Sequence, residues 1–524
     1  MKTTIFRGFI IIFATSLVLQ SCTKDFDKIN TNPNDPALET ALPKLLLPNV
    51  IENMTERTYE IFLGHEMGNC WVQHMAKVQY TDEDRYMPRS GVINNTWTSF
   101  YATSGMDNAL LKKIAIAQGL KNYEGISLVC EAYITSVLTD LFGPVPYSEA
   151  WRSGAADGGI LQPAYDDQES IYRALITSLD SANSYLASGT DEIEGDLLFG
   201  GDVAAWQKFA NSLHARLVLR MSAKDEPFAT AELTRMFGNA AKYPVFESND
   251  DNAQLIFLGS LPSNNPIHEN RKTRDDHRVS LSVVDLMWNN SPNMDYRIAL
   301  FAQNLGSANG YFVGLPNGLT SPKALAYNGN GLKYTSKLGS YFTAATAPGV
   351  LMNYAEVLFI KSEAALKGYI GGGDPEAEVN YEAAVKASYY QFGDALVAAT
   401  AGIWVNDDWD IDSLANDFYA NDNWTWNAGY TEDDKMELIG TQKWVAMFDQ
   451  GLQSWFEWRR IGYPVLIAAE DGDLDGTIPQ RVSYPIVEFG TNNTNRDAGI
   501  TLLNGPDDLK TRVWWDTEDN IVVK

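Results

Sequence analysis

Residues 351–391 read LMNYAEVLFIKSEAALKGYIGGGDPEAEVNYEAAVKASYYQ, and this stretch decides the fold class. Its two halves, 351–368 and 377–391, place apolar residues three and four positions apart, which predicts two helices. Small residues stand where the two helices must approach closely: Ala355, Ala364, Ala365, Ala383, Ala384 and Ala387. Two packed helices in a unit of about 34 residues form the tetratricopeptide arrangement. Its consensus is only partly met, so we interpret the pair as a degenerate repeat.

The same helical spacing continues through much of the chain. It predicts further helices at 95–117, 124–142, 167–187, 203–222 and 437–458. Between the helical blocks, 243–350 and 400–434 are rich in loop-forming residues, with short strand-like pieces such as 254–257. The prediction is a mostly α fold: degenerate tetratricopeptide helix pairs as scaffold, with long loops and a few short β-hairpins.

The N-terminal segment is built like an export signal. Basic residues precede the apolar run 9–19, which is shorter than the ~20 residues that a spanning helix needs, so 1–21 is interpreted as a signal peptide that is removed. Cys22 then offers the thiol that takes a diacylglycerol, and an ordinary secretory signal with a chance cysteine is the alternative. Residues 22–36 are predicted to be a lipidated flexible tether and 37–524 a ligand-binding domain with tetratricopeptide-like helices. No other stretch is expected to span a membrane.

The charge of the chain narrows the choice of partners. The 524 residues include 40 Lys and Arg and 67 Asp and Glu, which gives a formal net charge of −27. Such a surface repels phosphate backbones, so nucleic acid is not expected as a partner, whereas a neutral ligand is not penalised. Besides Cys22 there are only Cys70 and Cys130, which we expect to be two buried free thiols rather than a disulfide.

Sequence signals of catalysis are weak. The five histidines lack metal-ligand spacing, and there is neither a nucleophile elbow nor a phosphate-binding glycine loop, so no cofactor, metal or enzymatic activity is predicted. Carboxylates within apolar helices are expected to pair with nearby Lys or Arg: Glu131, Glu356, Glu363 and Glu457. Residues 471–476 copy the first half of a calcium loop, but Val482 stands where a bidentate Glu is required. A solvated acidic turn is favoured there, with a calcium site as the alternative.

Aromatic loops give the stronger functional signal. A sugar ring stacks its C–H face on Trp or Tyr, while Asn, Asp and Arg bond its hydroxyls. Three loop regions hold such mixtures, and the candidate ligand-binding residues are Trp71, Tyr80, Arg85, Tyr86, Trp288, Tyr311, Trp404, Trp409, Trp424 and Trp426. The alternative for any one of these rings is a place in the core.

Five segments together match one family. They are 25–34 (DFDKINTNPN), 139–150 (TDLFGPVPYSEA), 200–217 with Trp206 and Arg216, 442–464 ending in RRIGYP, and 478–492 beginning IPQRVSYP. On these residues the chain resembles the SusD/RagB-like nutrient-binding outer-membrane lipoproteins, in the branch whose mature chain begins DFDxINTNPN. The resemblance covers nearly the whole mature chain. It differs at Pro144, where the family often has a polar residue.

The resemblance implies a helical tetratricopeptide-like scaffold with variable binding loops, anchored to the outer membrane and facing the cell exterior. It also implies a SusC-like, TonB-dependent transporter as partner and oligosaccharides as ligands, or less often peptides. Its shared motifs look structural, with Arg459 and Arg460 expected to tie helices together. The family's ligand contacts differ between members, so the aromatic candidates stand on the loop residues alone.

Four functions remain open at this point. The leading one is a glycan-binding lipoprotein that hands its ligand to a transporter. A peptide-binding lipoprotein would use the same loops. A membrane-anchored glycoside hydrolase would need two carboxyl groups about 5–10 Å apart across a cleft, and the sequence nominates no such pair. A tetratricopeptide assembly scaffold would leave the tryptophan-rich loops unexplained.

Overall fold

A computed structural model of the chain describes residues 37–289, 294–307, 311–401, 403, 409–421 and 423–517. The predicted signal peptide, Cys22 and the predicted tether lie outside the described residues, as does the candidate Trp404.

The described residues are mostly helical. The α-helices are α1 Leu47–Tyr59, α2 Ser90–Thr98, α3 Gly105–Gln118, α4 Lys121–Phe142, α5 Gln168–Ser188, α6 Val203–Arg220, α7 Glu226–Phe237, α8 Pro266–Arg271, α9 Leu281–Val284, α10 Ile298–Phe301, α11 Ser321–Ala326, α12 Gly331–Tyr334, α13 Ser340–Thr343, α14 Tyr354–Leu366, α15 Gly373–Tyr390, α16 Gly393–Thr400, α17 Ile411–Asn421, α18 Glu432–Ala446, α19 Gly451–Ile461, α20 Val487–Thr491 and α21 Asn493–Ile500. π-Helical turns span Ile61–Asn69, Ser99–Ser104 and Asp285–Asn289, and 3₁₀ turns span Pro43–Leu45, Ala155–Asp157, Asn249–Asp251 and Tyr327–Gly329.

The helix pair predicted at 351–391 is confirmed. Helices α14 and α15 pack together, and Ala364 and Ala384 are fully buried. Ser362 on α14 donates a 2.8 Å hydrogen bond to the carbonyl of Ala377 on α15. Gly368, with φ +75°, follows the end of α14, a left-handed conformation that glycine adopts without strain. The mostly α fold class is therefore confirmed.

The strands are few and short. Strand β1 (Met75–Lys77) pairs antiparallel with β3 (His277–Val279), and β2 (Ala253–Ile256) pairs antiparallel with β4 (Pro348–Met352). The strand expected at 254–257 is present, but both sheets join distant segments instead of forming local hairpins. The β1–β3 sheet consequently brings the loop after residue 77 close to the region around 280.

The helix predicted over 437–458 is interrupted in the structure. Helix α18 ends at Ala446 and α19 begins at Gly451, and between them Asp449 adopts a left-handed φ of +70°. A side chain at Gly451 would place its Cβ 2.4 Å from the backbone nitrogen of Asn69, so the break allows α19 to approach the π-helical turn Ile61–Asn69. Asn69 also donates a 3.1 Å hydrogen bond to the Asp449 carboxylate.

Helix α4 is long and apolar enough to cross a membrane by length and composition, which the sequence analysis did not expect. Nearly all of its most apolar stretch is buried within the fold, as in the core helix of a folded domain. Around it, α5 and α6 pack in sequence order. Cys130 on α4 and Cys70 are both buried and free, which confirms the expectation for the two thiols.

A buried carboxylate on α4, Asp140, joins four elements. One of its oxygens accepts hydrogen bonds from the Tyr172 hydroxyl at 2.6 Å, the Trp515 indole at 2.7 Å and the Gln168 amide at 3.3 Å. The other accepts from the Arg220 guanidinium at 2.7 Å. The Asp140 side chain has no exposed surface, so these bonds replace all of its hydration.

The four helical glutamates all meet basic partners, as predicted. Glu131 lies 2.5 Å from the ammonium of Lys112, Glu356 lies 2.6 Å from the guanidinium of Arg216, Glu363 pairs with Arg460 and Glu457 pairs with both Lys443 and Arg460. Arg459 donates 2.8 Å to the carbonyl of Asp140 and a second bond to that of Gln480. The expectation that Arg459 and Arg460 tie helices together is confirmed.

The Asp140 cluster yields a stability prediction. Replacing Asp140→Asn leaves the Arg220 charge buried without its counter-ion, so the free energy of unfolding should fall by about 3–5 kcal/mol. Urea denaturation followed by circular dichroism measures this change. Glu194→Gln is the control, because it breaks the solvent-exposed pair of Lys44 and Glu194 at 2.9 Å and should leave the urea midpoint in place. An equal shift in both variants would contradict the prediction.

Candidate ligand-binding site

A cavity of about 380 Å³ opens beside the indole of Trp424; we call it the Trp424 cavity. Its walls come from segments far apart in sequence: 281–286, 316–317, 423–424 and 464–470, together with Gln73. A volume in this range is typical of sites for small ligands. The sheet β1–β3 and the loop after α19 bring these segments together.

The floor of the Trp424 cavity is a fixed set of polar groups. The Ser282 hydroxyl donates to the Gln73 amide oxygen at 2.5 Å, and the Gln73 amide nitrogen donates to the carbonyl of Ile467. The Asn317 amide oxygen accepts from the hydroxyl of Ser280 at 2.6 Å. These bonds hold the side chains in one orientation, so a ligand meets a preorganised polar surface.

Four residues that are either sequence candidates or cavity-lining have left-handed backbone conformations, and Gln73 among them lines the Trp424 cavity. Gln73 has φ +61°, Tyr80 +53°, Tyr86 +67° and Tyr311 +59°, all in the left-handed region that side chains rarely adopt. Such conformations persist only where the surrounding structure enforces them, and they cluster at functional sites.

The rim of the Trp424 cavity is acidic. Asp285 accepts a 2.7 Å hydrogen bond from the side chain of Asn289, and Glu470 lies 3.0 Å from the ammonium of Lys323. Asn423 next to Trp424 is exposed. None of the described residues that line the cavity is Lys or Arg. The described lining residues therefore offer hydrogen-bond acceptors and an aromatic side chain, and the Lys323 ammonium beside them is already paired with Glu470 and Asp471.

A buried carboxyl group lies directly behind the floor. Asp84 accepts hydrogen bonds from the Asn317 amide at 2.8 Å and from the backbone nitrogen of Lys77 at 3.0 Å. Burial raises the pKa of Asp84 from its usual 3.8 to about 6, although both hydrogen bonds act in the opposite direction. Asn317 also donates to the carbonyl of Met75 at 2.7 Å, so this cluster fixes the floor to strand β1.

Of the sequence candidates within the described residues, Trp424 is the one that lines this cavity. Three others are buried instead. Trp71 has no exposed surface and packs edge-on against Trp455 at 4.9 Å, Tyr86 is 3% exposed and Trp426 is 5% exposed against Tyr381. The faces of these rings are not open to a ligand, because each is covered by neighbouring side chains.

Two candidates of the first loop are less buried: Tyr80 is exposed and Arg85 is half-buried. Tyr80 is 58% exposed, and the Arg274 guanidinium lies 4.2 Å above its ring. Arg85 donates a 3.0 Å hydrogen bond to the carbonyl of Asp471, the residue after Glu470 on the rim. Arg85 thus helps to fix the backbone next to the rim residue Glu470.

The other described candidates are half-buried. Trp288 lies in the π-helical turn that begins with the rim residue Asp285, and its ring contacts Tyr311 edge-on at 5.8 Å. Trp409 packs against Tyr296 at 6.0 Å. None of these three residues lines the Trp424 cavity, although Trp288 and Tyr311 lie close in sequence to residues that do.

Sequence reasoning missed the segment 464–470 and the polar floor. Pro464 to Ala468 is an apolar run outside any predicted helix, and Ile467 within it is 60% exposed at the cavity. The apolar run itself was the one sequence feature that could have pointed to this segment. Nothing in the sequence around Gln73 and Ser282 indicated a site, because their side chains come into contact only through the pairing of β1 with β3.

The acidic segment 471–476 is tied to two different lysines. Asp471 lies 2.6 Å from the ammonium of Lys323, and Asp475 lies 2.6 Å from that of Lys510. These ion pairs lower the pKa of both carboxyl groups. Within the described part of the chain no group of three or more His, Cys, Asp or Glu side chains is arranged to hold a metal ion.

Comparison with known proteins adds family information. A family model described as starch-binding and associating with the outer membrane matches residues 33–485. No curated protein sequence matches the chain.

Solved structures resemble the whole described fold. A chitin-binding protein is 25% identical with a TM-score of 0.76, and the match covers 91% of this chain and all of that one. A chitin-binding SusD homolog from Flavobacterium johnsoniae is 24% identical with a TM-score of 0.74, covering 91% and 99% of the two chains. A SusD homolog from Bacteroides fragilis is 19% identical with a TM-score of 0.74, covering 91% and 100%. The last two matches establish the fold alone.

The contrast between buried and cavity-lining tryptophans gives one prediction. Trp71→Ala empties a fully packed site, so the free energy of unfolding should fall by about 3–5 kcal/mol. Trp424→Ala removes a half-buried ring at an open cavity, and its cost should be less than half as large. Parallel urea titrations compare the two variants, and a larger loss for Trp424→Ala would contradict the burial described here.

Asp84 gives a pH prediction. Between pH 3.8 and about 6 the unfolded chain has released this proton while the folded chain keeps it, so rising pH favours unfolding over that interval. Asp84→Asn abolishes the effect. The variant's free energy of unfolding, relative to the wild type, should therefore rise by roughly 2.4 kcal/mol between pH 4 and pH 7. Denaturant titrations at the two pH values measure the difference, and a constant offset would refute it.

Proposed function

Because the chain belongs to the SusD-like family of starch-binding, outer-membrane-associating proteins, we propose that it captures oligosaccharides at the cell surface. In this proposal it is a lipoprotein that delivers its ligand to a SusC-like, TonB-dependent transporter. The family match supports glycan binding in general, and the ligand class and the delivery step are our proposals.

The Trp424 cavity is the observation on which the proposal rests. The indole of Trp424 would stack on the apolar face of one sugar ring. Asn423, Ser282 and Asp285 lie on the same walls and would bond its hydroxyls. Tyr80, Trp288 and Tyr311 are proposed as outlying contacts for longer chains, whereas Trp71, Tyr86 and Trp426 are not proposed as contacts because they are buried.

Charge favours a neutral glycan over an acidic one. Asp285 and Glu470 border the Trp424 cavity, and the formal net charge of the chain is −27. Uronic or sulfated sugars would meet these carboxylates without a lining cation. A chitin oligosaccharide is a neutral candidate, and the similarity to a chitin-binding protein at 25% identity makes it the first ligand to test.

The membrane attachment rests on the sequence. We propose that Cys22 carries the lipid and that residues 22–36 tether the binding domain to the outer membrane on the exterior face. Protease shaving of intact cells tests the exposure, because a surface protein is removed and a periplasmic one is retained.

We propose binding without bond cleavage. A glycosidase needs one carboxyl group in surroundings that keep it protonated. Glu470 is 62% exposed and ion-paired with Lys323, and Asp285 accepts a hydrogen bond, so this pair does not offer such an acid. Incubation with glycans should release no reducing ends.

The binding prediction compares two tryptophans of similar exposure. The mature, unlipidated protein should bind chitin oligosaccharides with micromolar to millimolar affinity in isothermal titration, since a few stacked rings supply only modest free energy. Trp424→Ala should weaken binding about tenfold or more, because it removes the stacking surface.

Trp151→Ala is the matched control. Trp151 is also half-buried, but it hydrogen-bonds the carbonyl of Tyr101 and lies away from the cavity, so its loss should leave the affinity unchanged. If Trp424→Ala binds like the wild type, the cavity is not the site. If chitin and starch oligosaccharides fail while peptides bind, the ligand is a peptide and the glycan proposal falls.

A further inference from the structure

A second cavity, of about 530 Å³, lies elsewhere in the fold; we call it the Gln450 cavity. Strands β2 and β4 form one wall, α13 and the end of α15 form another, and the linker between α18 and α19 closes it. It shares no lining residue with the Trp424 cavity.

The Gln450 cavity carries amide oxygens that lack hydrogen-bond donors. Gln450 is 5% exposed, and its side-chain oxygen accepts no hydrogen bond from the described residues. The side-chain oxygen of Asn249 is likewise buried without a donor, while its nitrogen donates 2.9 Å to the carbonyl of Ala387. A buried acceptor without a donor costs free energy. Neither oxygen has exposed surface, so a ligand hydroxyl reaches it only when the amide side chain turns toward the cavity, and that contact would recover the cost.

Aromatic rings stand beside these oxygens. Tyr341 is half-buried and meets Phe342 at 5.1 Å and Phe392 at 5.5 Å, both edge-on. Tyr390 at the mouth of the cavity is 39% exposed. An aromatic wall next to acceptor oxygens suits a ligand with an apolar face and hydroxyl donors.

We propose that the Gln450 cavity is a second binding site, which takes one or two sugar rings of a neutral glycan. The amide oxygens of Gln450 and Asn249 accept hydrogen bonds from hydroxyl groups of the sugar, and Tyr341 or Tyr390 covers a ring face. The site does not depend on the Trp424 cavity, and the two together would hold a glycan at two points.

The charges of the Gln450 cavity favour a neutral sugar. None of its described lining residues is Lys or Arg, and its carboxylates are Asp250 and Asp449. Asp449 is already engaged by the amide of Asn69 at 3.1 Å. An anionic ligand would find no Lys or Arg counter-ion among the described lining residues.

Crystals of the mature chain soaked in N,N′-diacetylchitobiose, and separately in maltose, test the proposal directly. We expect density for a sugar in the Gln450 cavity with a hydroxyl within hydrogen-bond distance of the Gln450 side-chain oxygen. Density confined to the Trp424 cavity would overturn the second site and leave the proposed function standing. Density in neither cavity with either sugar would overturn both as neutral-sugar sites.

Variants give a solution test that does not rely on crystals. In a Trp424→Ala background, residual binding of diacetylchitobiose should remain, and adding Gln450→Leu should weaken it at least about fivefold by removing the acceptor. The control is Gln207→Leu, a half-buried Gln that donates 2.9 Å to Asn183 on a different face. Equal affinity with and without the Gln450→Leu change, in proteins with matched melting curves, would overturn the proposal.

Discussion

The carboxylate of Asp140 is the constraint on which much of the scaffold depends. It is fully buried, so its charge must be balanced inside the fold, and Arg220 does this at 2.7 Å. Because Tyr172 and Trp515 also donate to it, three helices and a segment near residue 515 have to meet at one point. These helices therefore cannot shift independently of one another.

The spacing of apolar residues along the chain was sufficient to predict the helices. It could not predict where a helix is interrupted or which strands pair. The alanines of α14 and α15 encode close packing directly, so the pair at 351–391 could be predicted. The break after Ala446 could not be predicted from local pattern. It allows Gly451 to pack against Asn69, and these residues are nearly 400 positions apart in the sequence. The same holds for β1 and β3, whose pairing depends on the tertiary fold.

In the candidate site, too, local sequence predicts only part of what the tertiary fold determines. Trp71 and Trp424 both stand in mixed polar and aromatic sequence, and nothing local distinguishes them. Trp71 is covered by Trp455, whereas Trp424 borders a cavity, and this difference arises from which segments pack nearby. The sequence could therefore nominate aromatic loops, and only the assembled structure separates the core rings from those that can meet a ligand.

The separation of 375 positions between Asp140 and Trp515 has a consequence for biogenesis. A ribosome must add 375 residues after Asp140 before the Trp515 donor exists, so this cluster cannot be complete until then, although Gln168, Tyr172 and Arg220 are made much earlier. Early truncations should then expose the apolar helix α4 to chaperones and proteases instead of yielding a smaller stable domain.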